Sequence, residues 1–517
     1  MRFTRRDTLK LLGYSAAWAR TRSIFGQPAP LPIASGPFKG TRASLDVYQV
    51  PEWFRDAKFG IWSHWGPQSG VEDGDWYARN MYIQGSPQYE YHLKTYGHPS
   101  KVGYKDLIPL FKAEKWDPDH LMDLYVKAGA KYFVSMGVHH DNYDMWDSTY
   151  QPRWNATAVG PKRDIVGLYK KAARKRGLRF GVSEHLSNSF DWFAPSHTSD
   201  TTGPLKGVPY DGDNPEFSDL YHNYAGMPMD FAKTAKAMGR VAPDEWKRKY
   251  FSRIKDLIEQ HQPDLLYTDG GIPFEEYGLS TVAELYNVSA GLHQGKVEAV
   301  YCSKEASDCA VGTCIVDHER GVSDAISTAP WQTDTCIGGW HYKRGEIYKT
   351  PKKVIDLLVD IVSKNGNLLL NFPLPNNGEL DPDEIKVLEG ITAWMAVNSE
   401  GIYGTRPWKV YGAGPSTDVS VPQTGFNESK QPGLTAQDVR FTTKGKILYA
   451  FVMGTAPEVL IAPLGKSSPQ QPGKIVNVQL LGYQDKLHWN QDNHGLKVKM
   501  PAAKSSDIGI TFKITLA

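Results

Sequence analysis

The sequence predicts an α/β fold, a (β/α)8-like TIM barrel followed by a C-terminal all-β sandwich. Short apolar runs alternate with helical patterns over most of the chain, which is typical of a parallel barrel. Polar residues directly follow several of these runs, and barrel enzymes carry their functional groups at that position. Near the C-terminus the apolar runs continue without helical patterns between them, which indicates a β-sandwich.

Length and composition agree with two folded domains. The chain has 517 residues, which a barrel and a small second domain would account for. We predict an export signal and N-terminal tail at 1–30, the barrel at 31–408 and the sandwich at 409–517. A hydrophobic content of 40% and a charged content of 22% are typical of a soluble globular protein. The formal charge of +2 gives no basic surface field, so binding of nucleic acid or of an anionic membrane is not expected.

The first residues resemble a bacterial twin-arginine export signal. Arg5-Arg6 precedes a mildly apolar run at 11–19, and the run ends in the small-residue pattern Ala17-x-Ala19. The apolar run is too short to span a membrane. We therefore expect an exported protein, periplasmic or extracellular, with no membrane span.

Four predicted strands in the first part of the barrel end at ionisable side chains. The fourth strand follows a helix whose apolar face contains Trp246, Tyr250 and Ile254, and Asp117 is placed to cap an earlier helix. The strands and their polar residues are 59–66 with His64, 130–136 with His139 and His140, 179–183 with Glu184 and His185, and 263–268 with Asp269. Because the carboxyl ends of barrel strands share one face, these side chains are expected to meet there.

The rest of the barrel and the sandwich are predicted from shorter runs. Barrel strands are expected at 297–301, 314–321 and 367–372, the last after a helix that ends at Asn365-Gly366. Glu319 and Arg320 end the sixth strand, and Trp331 lies in the segment after it. The stretch 411–433, rich in Gly, Pro, Ser and Thr, is predicted as a linker or long loop. Sandwich strands are expected at 439–442, 447–453, 475–481, 496–500 and 508–516.

The four cysteines are Cys302, Cys309, Cys314 and Cys336. They form no CxxC motif, so neither a zinc ribbon nor a thioredoxin-like site is indicated. Their clustering permits a disulfide but does not require one. We expect free, buried thiols.

Carboxylates and histidines, with tryptophans between them, gather at the predicted strand ends. Glycoside hydrolysis needs one carboxylate as nucleophile or base and one carboxyl group as acid. Histidine and indole N–H groups bind sugar hydroxyls, and indole faces pack on sugar rings. The 15 Trp and 27 Tyr residues of the chain favour a carbohydrate substrate in the same way.

Other chemistries find less support in the sequence. His139-His140-Asp141 could bind a metal, but no HExxH-like ligand spacing accompanies it. Gly412-Ala413-Gly414 lacks the third glycine of a dinucleotide site, and Leu460 stands where a P-loop needs glycine. Ser183 does not lie in a GxSxG elbow, which argues against an α/β-hydrolase. We expect neither a metal nor an organic cofactor.

Several motifs along the barrel carry a more specific signal. They are Phe59-Gly60-Ile61-Trp62-Ser63-His64-Trp65-Gly66, Asp75-Trp76-Tyr77-Ala78-Arg79-Asn80-Met81-Tyr82, His139-His140-Asp141 with Trp146-Asp147-Ser148, Gly160-Pro161-Lys162-Arg163-Asp164-Ile165-Val166 and Asn365-Gly366-Asn367-Leu368-Leu369-Leu370-Asn371. Together they resemble the retaining α-L-fucosidases of glycoside hydrolase family 29. The resemblance covers about 50–408 and implies a (β/α) barrel with a C-terminal β-sandwich.

The resemblance also implies catalytic residues and an activity. Asp269 matches the family's nucleophile, and Glu319 is expected to be the acid/base residue, with Glu305 and Glu184 as alternatives. The implied reaction is retaining hydrolysis of terminal α-L-fucosyl residues in a fucosylated oligosaccharide or glycoconjugate. Two alternatives stay open, a related hexosidase such as an α-L-galactosidase and a catalytically silent sugar-binding barrel.

The same resemblance implies residues that bind the sugar. Four positions match residues that contact fucose hydroxyls, and these are His64, Trp76, His139 and His140. Asp75 stands where the family often has Glu, and Glu184-His185 replaces a Tyr-containing stretch. The full set expected to contact substrate is His64, Asp75, Trp76, His139, His140, Glu184, His185, Arg320 and Trp331.

Overall fold

The computed structural model describes residues 30–223, 242–310, 312–419, 425–470, 472–501 and 508–517. The predicted export signal, with its twin arginine and the apolar run at 11–19, lies outside the described residues. Among the helices that are described, none is both long enough and apolar enough to cross a membrane.

Eight parallel strands form the barrel. Their order is β6-β5-β4-β3-β2-β1-β8-β7. The two edges are joined by a parallel bridge between Asp317 and Gln332, and the Arg320 N–H donates a 2.8 Å hydrogen bond to the Asp334 carbonyl. The predicted barrel is therefore confirmed. The strands are β1 Phe59–Ser63, β2 Tyr132–Val138, β3 Arg179–Glu184, β4 Leu265–Thr268, β5 Val300–Ser303, β6 Ile315–Val316, β7 Trp331–Cys336 and β8 Gly366–Asn371.

Helices surround the barrel and turn their apolar faces towards it. In the helix that begins at Ile165, the buried residues recur three and four positions apart, and the Asp164 side chain accepts a hydrogen bond from the Gly167 N–H. The stretch between β6 and β7 is described throughout and contains no helix. The main helices are α1 Pro118–Lys127, α2 Ile165–Lys175, α3 Asp244–His261, α4 Glu276–Leu292, α5 Ala306–Cys309, α6 Pro351–Ser363 and α7 Pro382–Asn398. Further helices span Arg42–Leu45, Glu52–Ala57, Tyr77–Asn80, Pro87–Thr95, Tyr104–Leu107, Ser189–Trp192 and Ser218–Tyr221.

Polar groups inside the barrel are paired across its interior. The Trp62 indole N–H donates to Ser183 Oγ at 3.2 Å, and the Tyr132 hydroxyl donates to Gln332 Oε1 at 2.8 Å. Buried polar groups need such partners because they have lost water. These hydrogen bonds across the barrel therefore fix the positions of the interior side chains.

The C-terminal part consists of two antiparallel sheets that share a core. A five-stranded sheet has the order β13-β16-β11-β10-β9, and a three-stranded sheet has the order β12-β15-β14. Phe441, Leu448 and Phe512 from the first sheet pack in one cluster with Ile461 and Val498 from the second. This packing confirms the predicted sandwich. Its strands are β9 Arg406–Ala413, β10 Val439–Lys444, β11 Ile447–Val452, β12 Glu458–Ile461, β13 Ile475–Leu480, β14 His488–Gln491, β15 Leu496–Lys499 and β16 Ile510–Leu516.

A buried charged cluster joins the barrel to the sandwich. Arg440 of β10 donates from Nε to Asp360 of α6 at 2.6 Å, and Lys364 Nζ donates to the same carboxylate at 2.7 Å. Burial opposes ionisation of Asp360, but the two cations hold the pKa of its carboxyl below the usual range. Breaking one partner of such a cluster would leave a buried charge uncompensated.

One pair of cysteines is oxidised, contrary to the expectation of free thiols. Cys309 and Cys314 form a disulfide, with their Cα atoms 4.7 Å apart. Between them, the Gly312 N–H donates to the Cys309 carbonyl at 3.0 Å. Cys302 and Cys336 are free and buried, as expected.

Candidate active site

A cavity of about 880 Å³ opens at the carboxyl-terminal ends of the barrel strands. A cavity of this size can hold a sugar ring together with part of its neighbour. Aromatic side chains form part of its wall, among them Trp62, Tyr267 and Trp340. The sequence-predicted residues that line it are His64, Asp75, Trp76, His139, His140, His185, Asp269 and Glu319.

Asp269 follows β4 directly and is held at both its backbone and its side chain. Its N–H donates to the Glu184 carbonyl at 3.0 Å, as though β4 continued for one more residue. Gly270 then turns the chain with φ +115°, a conformation that favours glycine, and its carbonyl accepts from the Lys304 N–H at 2.9 Å. The sharp turn leaves the Asp269 carboxylate at the end of the strand and facing the cavity.

Three basic groups surround the Asp269 carboxylate. Oδ2 lies 3.1 Å from Nε2 of His140 and 3.3 Å from Nδ1 of His185, and Oδ1 lies 2.5 Å from Nζ of Lys304. Burial alone would raise the pKa of Asp269, but Lys304 and the two histidines together hold it well below its usual range. Asp269 is therefore ionised, which is the state that a nucleophile requires.

Glu319 has the opposite electrostatic setting although it shares a partner with Asp269. Its Oε2 also bonds to Nζ of Lys304. Burial raises the pKa of Glu319 to about 7, the charges of Asp334 and Asp269 act in the same direction, and Lys304 opposes them. Two carboxyl groups in one cavity thus differ in protonation near neutral pH, which is the arrangement for acid and nucleophile roles.

The histidines of the site are buried, and burial is the main reason that the pKa values of His64, His139 and His185 are lowered. A neutral imidazole has one N–H donor and one acceptor nitrogen, which suits a hydroxyl group. In His139, Nδ1 accepts from the Gln68 amide at 2.8 Å, so the proton lies on Nε2. Nδ1 of His64 is buried and has no hydrogen-bond partner among the described residues.

Asp75 connects two of these rings. Its Oδ1 accepts from Nδ1 of His341 at 2.6 Å and lies 4.0 Å from Nε2 of His139. The next residue, Trp76, takes a left-handed backbone conformation with φ +61° and packs its indole edge-on to His140, with ring centroids 6.1 Å apart. His341 was not identified from the sequence, because a single histidine after Trp340 gives no spacing signal.

Two overlapping groups of side chains in this wall offer possible metal-ligand atoms that lie within 4.8 Å of one another. The first group is His64, Asp75, His139 and His341, and the second is His139, His140 and His185. Ligands of a tetrahedral zinc ion lie about 3.4 Å apart, given Zn–N bonds of about 2.0 Å, and this separation falls within that limit. The same atoms face the cavity and are equally suited to bind sugar hydroxyls. The chemistry of these donors is thus compatible with a metal, but nothing in their spacing requires one.

Three residues expected to contact substrate lie outside the cavity, because their side chains have partners elsewhere. The Glu184 carboxylate accepts from Thr268 Oγ1 at 2.7 Å and from the Tyr250 hydroxyl at 3.0 Å, and burial raises its pKa to about 7. Arg320 donates from Nη2 to the Gly338 carbonyl at 3.2 Å and packs over the Trp340 ring at 5.1 Å. Trp331 begins β7 at the opposite end of the barrel, where its indole N–H donates to the Lys364 carbonyl at 2.9 Å.

Lys304 is the main residue of the candidate site that sequence reasoning missed. It follows β5, whose end was predicted at Tyr301 but lies at Ser303. The usable signal was its position directly after a barrel strand. Phe426 and Asp334 also line the cavity and were not predicted, since one comes from beyond the barrel and the other from a strand rich in polar residues.

Comparison with known proteins identifies the family of the chain. The sequence model of the family described as α-L-fucosidase matches residues 28–400, and that of the α-L-fucosidase C-terminal domain matches residues 431–516. The chain belongs to the α-L-fucosidase family. It is therefore a glycoside hydrolase. The match to the first family model covers the barrel, and the match to the second covers most of the sandwich.

Individual members of the α-L-fucosidase family match over nearly the whole length. The tissue α-L-fucosidase of Bos taurus is 29% identical over 493 residues, covering 91% of this chain and 90% of the relative. The structure of Thermotoga maritima α-fucosidase in complex with fucose has a TM-score of 0.68 and 26% identity, covering 92% of this chain and 99% of that one. The same enzyme in complex with a mechanism-based inhibitor matches with a TM-score of 0.68 and 25% identity, over 92% of this chain and 100% of that one.

Proposed function

We propose that the protein is an exo-acting retaining α-L-fucosidase, with Asp269 as the nucleophile and Glu319 as the acid/base residue. The observation that carries this proposal is the shared contact of both carboxyl groups with Nζ of Lys304. Two oxygens bonded to one ammonium nitrogen lie within about 5 Å of each other, and retaining glycosidases keep their carboxyl groups about 5–5.5 Å apart. Inverting enzymes need a wider gap to admit water.

The reaction proceeds by double displacement. Asp269 attacks the anomeric carbon while Glu319 donates its proton to the departing oxygen, which forms a covalent fucosyl-enzyme. Glu319 is then a carboxylate and removes a proton from the incoming water, so the second displacement restores the original configuration. Lys304 keeps Asp269 ionised before the first step, and it moderates the raised pKa of Glu319.

The wall opposite Glu319 holds the fucosyl ring. His64 and His139, which are neutral, donate and accept hydrogen bonds at hydroxyl groups, and the Trp76 indole N–H donates one, while Trp62 and Tyr267 give an apolar surface. L-Galactose differs from L-fucose only by a hydroxyl at C6, so an α-L-galactosidase is the related alternative. The names of the matched relatives favour fucose. Kinetics on the two aryl glycosides side by side distinguish these activities.

We also propose that the enzyme is exported and meets its substrate outside the cytoplasm. Support comes from Arg5-Arg6, the apolar run at 11–19 and the pattern Ala17-x-Ala19. The substrate class is a fucosylated oligosaccharide or glycoconjugate. Fusion of residues 1–30 to a reporter that is active only after export would test the signal, with Arg5-Arg6 changed to Lys-Lys as the control.

Hydrolysis of 4-nitrophenyl α-L-fucoside tests the main proposal. The wild type should release nitrophenolate, and Asp269→Asn should lower kcat/KM by at least about 10⁴-fold because the amide cannot act as a nucleophile. The matched control is Asp123→Asn on the exposed face of α1, which should retain full activity. Wild-type turnover by Asp269→Asn would refute the assignment. Binding of fucose without any turnover by the wild type would favour the silent sugar-binding alternative.

A further inference from the structure

Phe426 is an aromatic residue at the mouth of the catalytic cavity that does not come from the barrel. It lies in the segment between β9 and β10, yet it lines the same cavity as Glu319. Its side chain is 58% exposed, although aromatic residues of this size are usually buried. An exposed ring beside a catalytic group is a surface available for a ligand.

The backbone around Phe426 is bound to the segment that carries Glu319. The Phe426 N–H donates to the Glu319 carbonyl at 2.7 Å, and the Glu428 N–H donates to the Arg320 carbonyl at 2.9 Å. The Asn427 side chain accepts from the Val322 N–H at 2.8 Å and donates to the Val322 carbonyl at 3.0 Å. Residues 426–428 therefore extend beside 319–322, and the position of Phe426 is tied to that of Glu319.

The side chain of Glu428 anchors the same segment to β7 and to Lys349. Its carboxylate accepts from Thr335 Oγ1 at 2.8 Å and from Lys349 Nζ at 2.9 Å. Phe426 itself has φ +58°, a left-handed conformation that a bulky residue rarely adopts. The flanking hydrogen bonds hold it there, and strain of this kind is found at ligand-binding positions.

We propose that Phe426 is the stacking platform for the ring of the leaving group, the sugar to which fucose is attached. This inference rests on the proposed function, since Glu319 must protonate the glycosidic oxygen and the leaving ring must therefore lie on its side of the cavity. An aromatic face packs well on the C–H face of a pyranose. The ligand class is an uncharged six-membered ring that presents such a face, and Phe426 determines specificity for it.

Two alkyl fucosides test the proposal. Methyl and benzyl α-L-fucosides have leaving groups of similar basicity, so both need the proton of Glu319, but only the benzyl compound brings a six-membered ring. The wild type should prefer the benzyl compound in kcat/KM. Phe426→Ala should lower the benzyl-to-methyl ratio by about 10-fold, the size of one ring-stacking contact. Phe426→Tyr should restore it. The matched control is Tyr150→Ala, an aromatic residue that is 49% exposed and does not line the cavity.

The benzyl-to-methyl ratio of kcat/KM distinguishes a stacking role of Phe426 from a supporting role. A parallel loss on both alkyl fucosides would mean that Phe426 only supports Glu319, and it would overturn the proposal. An unchanged ratio in Phe426→Ala, or a wild type without preference for the benzyl compound, would overturn it as well. Hydrolysis of α-L-fucosyl fluoride, whose leaving group has no ring and needs no proton, reports on the proposed function separately. If the wild type does not hydrolyse it, the fucosidase assignment fails, and the role of Phe426 fails with it.

Discussion

The two sides of the cavity are built differently. On the β1–β4 side each strand ends directly at the residues that line the site, and the strands contain between four and seven residues. On the β5–β7 side β6 has two residues, the barrel closes through the bridge from Asp317, and Phe426 is contributed from beyond the barrel.

This difference separates two tasks of a fucosidase. In the proposed mechanism, the β1–β4 side supplies His64, His139, His140 and His185, which recognise the fucosyl ring, and Asp269, which forms the covalent bond to it. The β5–β7 side supplies Glu319 and Lys304 and carries the segment with Phe426, where we propose that the leaving group lies. Loops tolerate sequence change better than strands do. We therefore infer that leaving-group preference can diverge while recognition of the fucosyl ring is kept.

Among the substitutions that test this division between the two sides, Glu319→Gln is expected to have the largest effect on kcat/KM. Glu319→Gln cannot donate a proton, so kcat/KM for methyl α-L-fucoside should fall by about 10³-fold. Formation of the fucosyl-enzyme from α-L-fucosyl fluoride should change little, because fluoride leaves without a proton. Added azide should then attack the intermediate and give an α-fucosyl azide of retained configuration, which product analysis detects.

The matched control is Glu305→Gln, since Glu305 lines the same cavity and was one of the two alternative acid/base residues. It should retain most of the activity on the methyl compound. Azide rescue in Glu305→Gln, together with normal turnover by Glu319→Gln, would show that Glu305 and not Glu319 is the acid/base residue.

A smaller effect is expected at Lys304, which connects the two sides. Lys304→Met removes the cation that both carboxyl groups contact, and kcat/KM at about pH 6 should fall by about 10²-fold. The pKa values of Asp269 and Glu319 should both rise, because Lys304 lowers each of them. The pH profile should therefore shift towards higher pH. Lys304→Arg keeps the charge and should lose much less, and an unchanged rate and profile in Lys304→Met would contradict this role.

The difference between the β1–β4 side and the β5–β7 side also explains which parts of the structure could be predicted from the sequence. β1 to β4 are short runs followed at once by His64, His139, His185 or Asp269, a pattern that is local and complete within a few residues. β7 was missed because Gln332 and Asp334 face the polar interior of the barrel, and a strand with buried polar residues resembles a loop.

Long-range features gave no local signal at all. Asn427 and Val322, whose contact places Phe426, lie 105 residues apart in the chain. The sandwich strand β9 lies partly in a stretch rich in glycine and proline that was predicted as a linker, and β12 and β14 have four residues each. Such elements form because neighbouring strands pair with them, and a single sequence does not show that pairing.

The smallest expected effect is the pH dependence of the wild type. Glu319 must be protonated at the start, and its pKa is about 7, so kcat/KM for the methyl fucoside should fall about tenfold per pH unit above that value. Asp269 has a pKa well below its usual range, so no acid limb is expected down to about pH 4. The control is Glu319→Gln with fucosyl fluoride, which should lose the alkaline limb. A limb that persists in this variant would place the titrating group among the histidines of the β1–β4 side, and the division of tasks between the two sides would then fail.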